Sequence, residues 1–295
     1  MSLLRVAEFT EEEARAYIEK IRWPNGPVCP HCEHEKAYEL NGKAHRPGLY
    51  KCAECRKQFT VTVGTVMHRS HITLKQWIMA FHLMCSSKKG VSALQLQRNL
   101  GLGSYKSAWH LAHRIRYAMR QEPMKSLLKG TVEVDETYVG GKSREGITGR
   151  GSERKTPVVA LVERNGKAHA KPVKRVNATE LKGAIREAVD SQARIMTDEW
   201  PAYMGIGHEF AGGHGIIKHG KGEFSRGDIN TNAAESYFAL LKRGVHGTFH
   251  HVSKDHLARY CDEFSFRWNY RKVNDDARAA AAIYSSGGKR LAFCR

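Results

Sequence analysis

Three acidic residues and a lysine have the types and spacing needed to bind divalent metal ions and act on a phosphate. Asp135 ends the alternating part of the segment TVEVDETYVGG, and Asp198 ends a second alternating segment in ARIMTDEW. Alternation of this kind is typical of β-strands, so both acids are predicted at strand ends. Glu235 opens a helix-like run, AESYFALLKRG, and Lys242 follows about two turns later on the same face.

Three carboxylates together favour two-metal phosphoryl transfer. Two Mg²⁺ ions about 3.5 to 4 Å apart need anionic oxygen ligands, and Mn²⁺ often substitutes for Mg²⁺ at such sites. The ion pair activates a water or sugar hydroxyl and stabilises the leaving oxygen, so no covalent protein nucleophile is needed. Glu133 and Glu136 are the alternatives to Asp135 within the first segment. Single acids also end strands without any metal, so the prediction depends on the combination.

Four of the seven cysteines form two Cys-x-x-Cys pairs, Cys29 with Cys32 and Cys52 with Cys55. Their separation is close to that of a four-thiolate Zn²⁺ site. Redox dithiols are the alternative, but a reducing cytosol keeps thiolates available for metal. With short strand-like segments around the second pair, residues 23–68 are predicted to form a zinc ribbon with one structural zinc ion.

Residues 70–122 are predicted to form three helices arranged as a helix-turn-helix module. Ser92, with Gln95 three residues later, has the capping-box pattern of a helix start, and Gly101-Leu102-Gly103 marks the turn that follows. The third helix begins near Ser104 and is expected to bury one apolar stripe, consisting of Ala108, Leu111, Ala112, Ile115 and Met119.

The opposite face of this third helix is basic and aromatic. A helix with a basic outer face after a glycine turn is the pattern by which helix-turn-helix modules enter the major groove, although such a face is often only solvated. The residues expected there are Lys106, His110, His113, Tyr117 and Arg120. All of these except Tyr117 are candidate DNA contacts.

The motifs together resemble those of the DDE transposases of bacterial insertion sequences, which have an RNase H-like catalytic domain. The resemblance extends over nearly the whole chain, through VEVDETYVGGK, IMTDEWPAY, NTNAAESYFALLKRGVHGTFHHVS and HLARYCDEFSFRWNYR. It implies that Asp135, Asp198 and Glu235 are the metal-binding triad. It also implies that Lys242 contacts the phosphate backbone near the cleaved end.

The loop before Glu235 departs from the family pattern at one position. Some relatives use Asn near the third acidic position, and Asn232 lies one turn before Glu235, so it is a candidate ligand or DNA contact. Many relatives have His where this chain has Asn230, which leaves the role of the loop open. Arg243, next to Lys242, is a further candidate DNA contact.

The predicted fold class is α/β, with a mixed sheet flanked by helices. Three antiparallel strands, a helix over 178–189 and a fourth strand with Asp198 form the RNase H-like core. The basic stretch KSREGITGRGSERK is expected to be a hairpin loop that grips DNA. The predicted domains are an N-terminal helix (1–22), the zinc ribbon (23–68), the helix-turn-helix module (70–122), the catalytic core (130–250) and C-terminal helices that complete the core (251–295).

Composition favours a nucleic-acid partner. The formal net charge is +18 and the sequence pI is about 9.7, and duplex DNA carries one negative charge per about 1.7 Å of its axis. A generically basic protein, such as a ribosome-associated factor, is the alternative. The sequence has no run of 18 apolar residues and no cleavable signal pattern. We therefore expect a soluble, cytoplasmic protein that does not interact with membranes.

The resemblance implies a transposase that binds the double-stranded ends of its element, cleaves them and joins the freed 3′ hydroxyl to target DNA. Cutting and joining two ends implies a homodimer or a larger assembly on DNA. One alternative is a catalytically silent DNA-binding regulator, against which the intact acids and Lys242 count. The other is a different RNase H-like nuclease, such as a junction resolvase, against which the zinc ribbon and helix-turn-helix module count.

Overall fold

The computed structural model describes residues 3–121, 126–140 and 155–292. The chain divides into two compact units, residues 1–119 together with 272–295, and residues 120–271. Apart from Lys155, the basic stretch KSREGITGRGSERK lies outside the described residues. None of the described helices is long and apolar enough to span a membrane.

The first unit begins with two helices, α1 (Leu3–Glu8) and α2 (Glu11–Arg22), where one helix over 1–22 was predicted. The Thr10 hydroxyl accepts a hydrogen bond from the N–H of Glu13, and the Glu13 carboxylate accepts one from the N–H of Thr10. This capping box begins a second helix at that point, so the prediction of a single helix was wrong.

The zinc ribbon follows as three short antiparallel strands in chain order, β1 (Ala37–Glu39), β2 (Tyr50–Cys52) and β3 (Gln58–Phe59). A small aromatic core stabilises them. The Trp23 ring packs edge-on against the rings of Tyr50 and Phe59, at centroid distances of 5.4 and 5.9 Å.

The three helices predicted after the ribbon are present as α3 (Leu74–Ser86), α4 (Ala93–Leu100) and α5 (Tyr105–Met119). The Ser92 hydroxyl accepts the N–H of Gln95 and begins α4. The helix ends at Gly101, whose φ of +63° is the left-handed conformation that glycine adopts without steric cost. The apolar stripe predicted for α5 is buried throughout.

Helix α9 (Asp275–Tyr284) also belongs to the first unit, where it packs against α3. The guanidinium of Arg278 donates to the carbonyl of Cys85 in α3 over 2.9 Å. The predicted domain 251–295 is therefore divided, since its first helix packs in the other unit. An amphipathic helix shows its buried face in the sequence but not the element that covers it.

The second unit contains a five-stranded sheet in the order β6-β5-β4-β7-β8. Strand β5 is antiparallel to its neighbours β4 and β6, whereas β7 and β8 run parallel to β4. The fifth strand, β8, was not predicted. The strands are β4 (Thr131–Gly140), β5 (Lys155–Glu163), β6 (Ala168–Pro172), β7 (Arg194–Asp198) and β8 (His214–Ile217).

Helices cover both faces of this sheet. Helix α6 (Ala178–Ala188) packs on one face, against a buried cluster that includes Val134 and Ile195. Helices α7 (Asn232–Gly244) and α8 (Lys254–Asn269) pack on the other. The predicted mixed sheet flanked by helices is confirmed, and its central strands β4 and β7 carry the two predicted acids.

Candidate active site and zinc site

Asp135 and Asp198 lie on neighbouring parallel strands. The pairing of β4 with β7 aligns Thr131 with Arg194 and Glu133 with Met196. The same register, continued two residues along both strands, brings Asp135 level with Asp198. Because side chains alternate across a sheet, both acids point to the face that α7 covers.

Glu133 connects this strand to helix α7. Its carboxylate is buried and accepts the backbone N–H groups of Ala233 and Ala234, at 2.6 and 3.1 Å, in the first turn of the helix. The same carboxylate accepts the Nε–H of Arg164 over 2.6 Å. A carboxylate at this position satisfies N–H groups that the helix leaves unpaired and interacts favourably with the helix dipole. Glu133 thus fixes the start of the helix that carries Glu235.

The remaining acid of the strand, Glu136, points to the opposite face. Its carboxylate accepts the hydroxyl of Tyr203 over 2.7 Å, beside the cluster that α6 covers. With Glu133 engaged by the helix and Glu136 turned away, Asp135 is the acid of β4 best placed to face Glu235.

The surroundings of Asp135 disfavour its ionised form. Burial, together with the neighbouring charges of Glu136, Asp198 and Glu235, raises the pKa of this carboxyl to about 7, against the opposing effect of a hydrogen bond from the N–H of Glu136. Negative charge is therefore incompletely compensated here, and a bound cation would relieve it. Carboxylate oxygens are the ligands that Mg²⁺ and Mn²⁺ prefer, so the residues present fit a divalent metal.

The three carboxylates do not surround a single point. Among the described residues, only a cluster of four cysteine thiols brings at least three ligand atoms within 4.8 Å of one another. A pair of ions about 3.5 to 4 Å apart does not require this, because each ion is bound by only part of the carboxylate set.

His219 is a member of the site that sequence analysis missed. It begins a 3₁₀ turn (His219–Lys221), and its Nε2 lies 3.8 Å from Oε1 of Glu235 and 3.2 Å from the hydroxyl of Thr231. The carboxylate of Glu199 accepts the N–H groups of His219 and Gly220, at 2.9 and 2.7 Å. The residue after Asp198 thus holds this turn beside Glu235. The surrounding segment has no periodicity, so only the tertiary contact reveals it.

The polar face of α7 is open to solvent. Asn232 is its first residue, and Glu235, Lys242 and Arg243 are likewise exposed. Lys242 is on the same helical face as Glu235, as the spacing predicted, whereas the side chain of Arg243 bonds back to the carbonyl of Ala239.

The predicted basic face of α5 is only partly exposed. Lys106 is exposed, while His110 and Arg120 are half-buried. His113 is fully buried, with its ring 4.1 Å from that of Trp109, so the prediction that it contacts DNA was wrong. Helix α5 packs against α3, α4 and α9, and this burial extends beyond the single stripe assumed for a surface helix.

The four predicted zinc ligands come together in the ribbon. The Sγ atoms of Cys29 and Cys55 are 3.6 Å apart, as are those of Cys32 and Cys52. A tetrahedron with Zn–S distances of about 2.3 Å has edges of about 3.8 Å, so the thiols fit a zinc ion. Burial opposes ionisation of Cys52, but N–H groups of Cys55 and Glu54, together with the thiols of Cys32 and Cys55, lower the pKa of its thiol to about 6. The four cysteines therefore form a cluster of the kind that a structural zinc ion requires.

Two family models match the chain, one in each unit. The transposase zinc-ribbon domain matches residues 9–58, and the ISXO2-like transposase domain matches residues 127–269. The chain therefore belongs to the insertion-sequence DDE transposases, and the mixed sheet of its second unit is their RNase H-like catalytic fold.

One relative is similar over almost its whole length. It is an "Uncharacterized protein in transposable element ISH50" of Halobacterium salinarum, 28% identical over 284 residues, which are 91% of this chain and 94% of the relative. Two solved structures also match, the Mos1 transposase paired-end complex with left transposon end and a pre-cleavage Mos1 transpososome. The first is 14% identical with a TM-score of 0.27 and covers 68% of this chain and 75% of its own. The second is 12% identical with a TM-score of 0.25 and covers 97% and 96%.

Proposed function

We propose that this transposase binds the ends of its insertion sequence, cleaves phosphodiester bonds there and transfers the freed 3′ hydroxyl to target DNA. Asp135, Asp198 and Glu235 would hold two divalent ions, Mg²⁺ or Mn²⁺. The observation that carries the proposal is the electrostatics of Asp135, whose pKa is raised by burial and by the charges of Glu136, Asp198 and Glu235.

Each residue of the site has its own role in the proposed reaction. When bound, the two ions supply the positive charge that activates a water or sugar hydroxyl and neutralises the leaving oxygen. Asp135 and Asp198 provide anionic ligands from a rigid sheet, so their separation is set by strand pairing and not by loops. Glu235 completes the set from α7, where Glu133 holds the first turn and His219 lies beside the carboxylate. Positioning of this kind suits in-line phosphoryl transfer, which depends mainly on alignment and charge neutralisation.

Lys242 would add a fixed positive charge near the cleaved phosphate. It is exposed on the face of α7 that carries Glu235, and Asn232 and Arg243 flank this face. A lysine there lowers the energy of the transition state by interacting with the non-bridging oxygens of the transferred group. Asn232 is proposed as a DNA contact or an additional ligand.

The first unit would hold the element ends. A chain with a net charge of +18 attracts duplex DNA, and the zinc ribbon with the exposed part of α5 offers a surface for it. Lys106 and His110 are the proposed contacts of that surface, and Arg120, the first residue of the second unit, is a separate proposed DNA contact. Because two ends must be cut and joined, we place at least two copies of the chain on the DNA.

The test is cleavage of end-labelled DNA from either flank of the coding region, with Mg²⁺ or Mn²⁺. The native protein, an Asp198→Ala variant and a Glu187→Gln variant are compared; Glu187 is an exposed acid of the same unit, paired with Lys171. We expect nicking at a discrete flank position by the native and Glu187→Gln proteins only.

Two other outcomes would each support a different function. Tight binding of flank DNA without cleavage by any protein would indicate a silent regulator. Cleavage confined to branched DNA, with no discrete flank site, would indicate a junction nuclease.

A further inference from the structure

A basic cavity in the first unit is distinct from the triad. Its volume is about 380 Å³, and it lies between the segment that follows the ribbon, helix α5 and the C-terminal segment. Its polar lining includes His68, Arg69, Ser70, His110, Arg114 and Arg290. Among the described residues that line it, none is acidic.

The positive charges in this cavity act on one another. Burial and, to a smaller extent, the charge of Arg290 together lower the pKa of Arg114 to about 10. Burial also lowers the pKa of His68, and the charges of Arg290, Arg69 and Arg114 add to the effect. A bound anion would relieve this repulsion, because it would favour the charged forms of all these groups.

Arg114 is held rigidly and keeps unused hydrogen-bonding capacity. It is 7% exposed, donates to the carbonyl of His68, and lies over the ring of Trp77 at 5.4 Å. Within the part of the chain that the structure describes, its buried Nε has no hydrogen-bond partner. A buried guanidinium N–H without an acceptor is costly, and Arg114 lines the cavity, so a ligand oxygen that reaches this guanidinium would contribute to stability as well as to binding.

The hydroxyl of Ser70 is oriented by two donors. It accepts the indole N–H of Trp77 and the backbone N–H of Ile72, both at 3.1 Å. These two bonds occupy its lone pairs and leave its O–H to donate to an acceptor. His68 is arranged in a similar way, because its Nδ1 accepts the N–H of Gly64 and its proton is therefore on Nε2.

We propose that this cavity binds one phosphodiester group of the DNA backbone. Arg69 and Arg290, both exposed, would approach it from solvent, and Arg114 with the hydroxyl of Ser70 would bind it from the protein side. Such a contact positions DNA without reading its sequence, since phosphate contacts fix register and base contacts provide specificity.

A second cavity of about 350 Å³ continues along the other side of the same segment. It shares His68, Arg69 and Ser70 with the first and extends to Arg46 and Thr60 of the ribbon. The His68–Ser70 segment is therefore accessible from both sides, and a backbone phosphate there would lie between α5 and the ribbon within one unit.

The proposal rests on the proposed function, in which this unit binds element-end DNA. The test measures the affinity of the full-length chain for flank duplex over a range of salt concentrations, by fluorescence anisotropy. The double variant Arg69→Gln/Arg290→Gln is compared with Arg5→Gln/Lys20→Gln, which removes two positive charges from α1 and α2 in the same unit. Unchanged zinc content and melting temperature establish that each variant is folded.

Each phosphate contact contributes about 0.9 to the slope of log K against log salt, so the cavity variant is expected to lose about 0.9 of that slope. The single variant Arg290→Gln should lose part of it, and the α1/α2 control should keep the native slope. An unchanged slope in the cavity variant, while the native chain binds the duplex, would overturn this site and leave the proposed catalysis intact. If the native chain bound no duplex at any salt concentration, the proposed function itself would fall.

Discussion

The carboxylate of Glu133 accepts a hydrogen bond of 2.6 Å from the backbone N–H of Ala233. This bond joins the central strand, which carries Asp135 two residues later, to the first turn of the helix that carries Glu235. Asp135 and Glu235 are far apart in the sequence. Glu133 positions both of them, because it connects the strand that carries Asp135 to the helix that carries Glu235. The geometry of the site depends on Glu133 even though no metal-binding role is assigned to it.

Replacing Glu133 with Gln should destabilise the second unit. The variant removes the charge that interacts with the start of α7 and leaves Arg164 without its carboxylate partner. We expect a loss on the order of 2 kcal/mol in the free energy of unfolding by urea, because a buried charged hydrogen bond is broken on one side. Metal-dependent cleavage should fall with it, since Glu235 is no longer held in place.

The control for this variant is Glu187→Gln, which removes an exposed acid. Surface pairs contribute little, so its unfolding free energy should stay within about 0.5 kcal/mol of the native value. Equal stability of the two variants would show that Glu133 does not anchor the helix.

The sequence could not distinguish the roles of Glu133 and Asp135. Both lie on the same side of an alternating strand, and either could be a metal ligand as far as the pattern shows. Only the position of α7 over the sheet decides that Glu133 faces N–H groups and that Asp135 faces the other acids. Strand periodicity predicts the face of a side chain, whereas its neighbours come from tertiary packing.

Metal affinity should depend on pH through Asp135. In the metal-free protein its pKa is about 7, so a proton competes with the metal below that pH. The affinity for Mn²⁺, measured by calorimetry, should rise between pH 6 and 8. Glu136→Gln removes a negative charge that raises this pKa, and we expect the rise in affinity to move to lower pH. If Glu136→Gln left the pH dependence of the Mn²⁺ affinity unchanged, the proposed role of Asp135 in this dependence would be wrong.

The same shift should appear in stability without metal. Because the pKa of Asp135 is raised from 3.8 in the unfolded chain to about 7, the folded state binds more protons between these values. Stability should therefore fall as pH rises from 4 to 7. Asp135→Asn removes this effect and should stabilise the metal-free protein at pH 7.5 by on the order of 4 kcal/mol, since the pKa is raised by about 3 units and one unit corresponds to about 1.4 kcal/mol. A destabilised variant in urea unfolding would contradict this.

His219→Ala should reduce cleavage about tenfold or more and raise the metal concentration needed for half-maximal rate. Residues that orient metal ligands typically contribute 10- to 100-fold. Glu199→Gln should have a similar, smaller effect, because it loosens the turn that holds His219. The matched control is His208→Ala, an exposed histidine of the same unit. If cleavage and metal dependence were the same in His219→Ala and His208→Ala, His219 would have no role in the site.

Cys29→Ser should abolish stoichiometric zinc and weaken binding of element-end DNA, because four thiolates hold the ribbon strands together. The native chain should contain one zinc ion by atomic emission analysis. The Cys85→Ala variant lacks a buried thiol of α3 and should keep the zinc ion. A native chain without zinc, or full zinc content in Cys29→Ser, would contradict the four-thiolate site.

Motifs with fixed local spacing were predicted well, and features that depend on distant contacts were not. The cysteine pairs and the helix start at Ser92 follow from local chemistry. His113 was misplaced because the periodicity of α5 could not show that burial of this helix extends beyond its apolar stripe. His219 was missed because its segment has no period and its place beside Glu235 depends on a contact with Glu199.

The most direct test of the account is strand transfer from a pre-cleaved element end with a free 3′ hydroxyl into a supercoiled plasmid, with Mn²⁺. The native chain and Glu187→Gln should join the end to the plasmid. Asp135→Asn, Asp198→Asn and Glu235→Gln should each reduce joining at least about 100-fold while still binding the end, because each removes the charge of a carboxylate that we propose as a ligand of the metal ions. Joining at the native rate by any of these three variants would contradict the assignment of the triad.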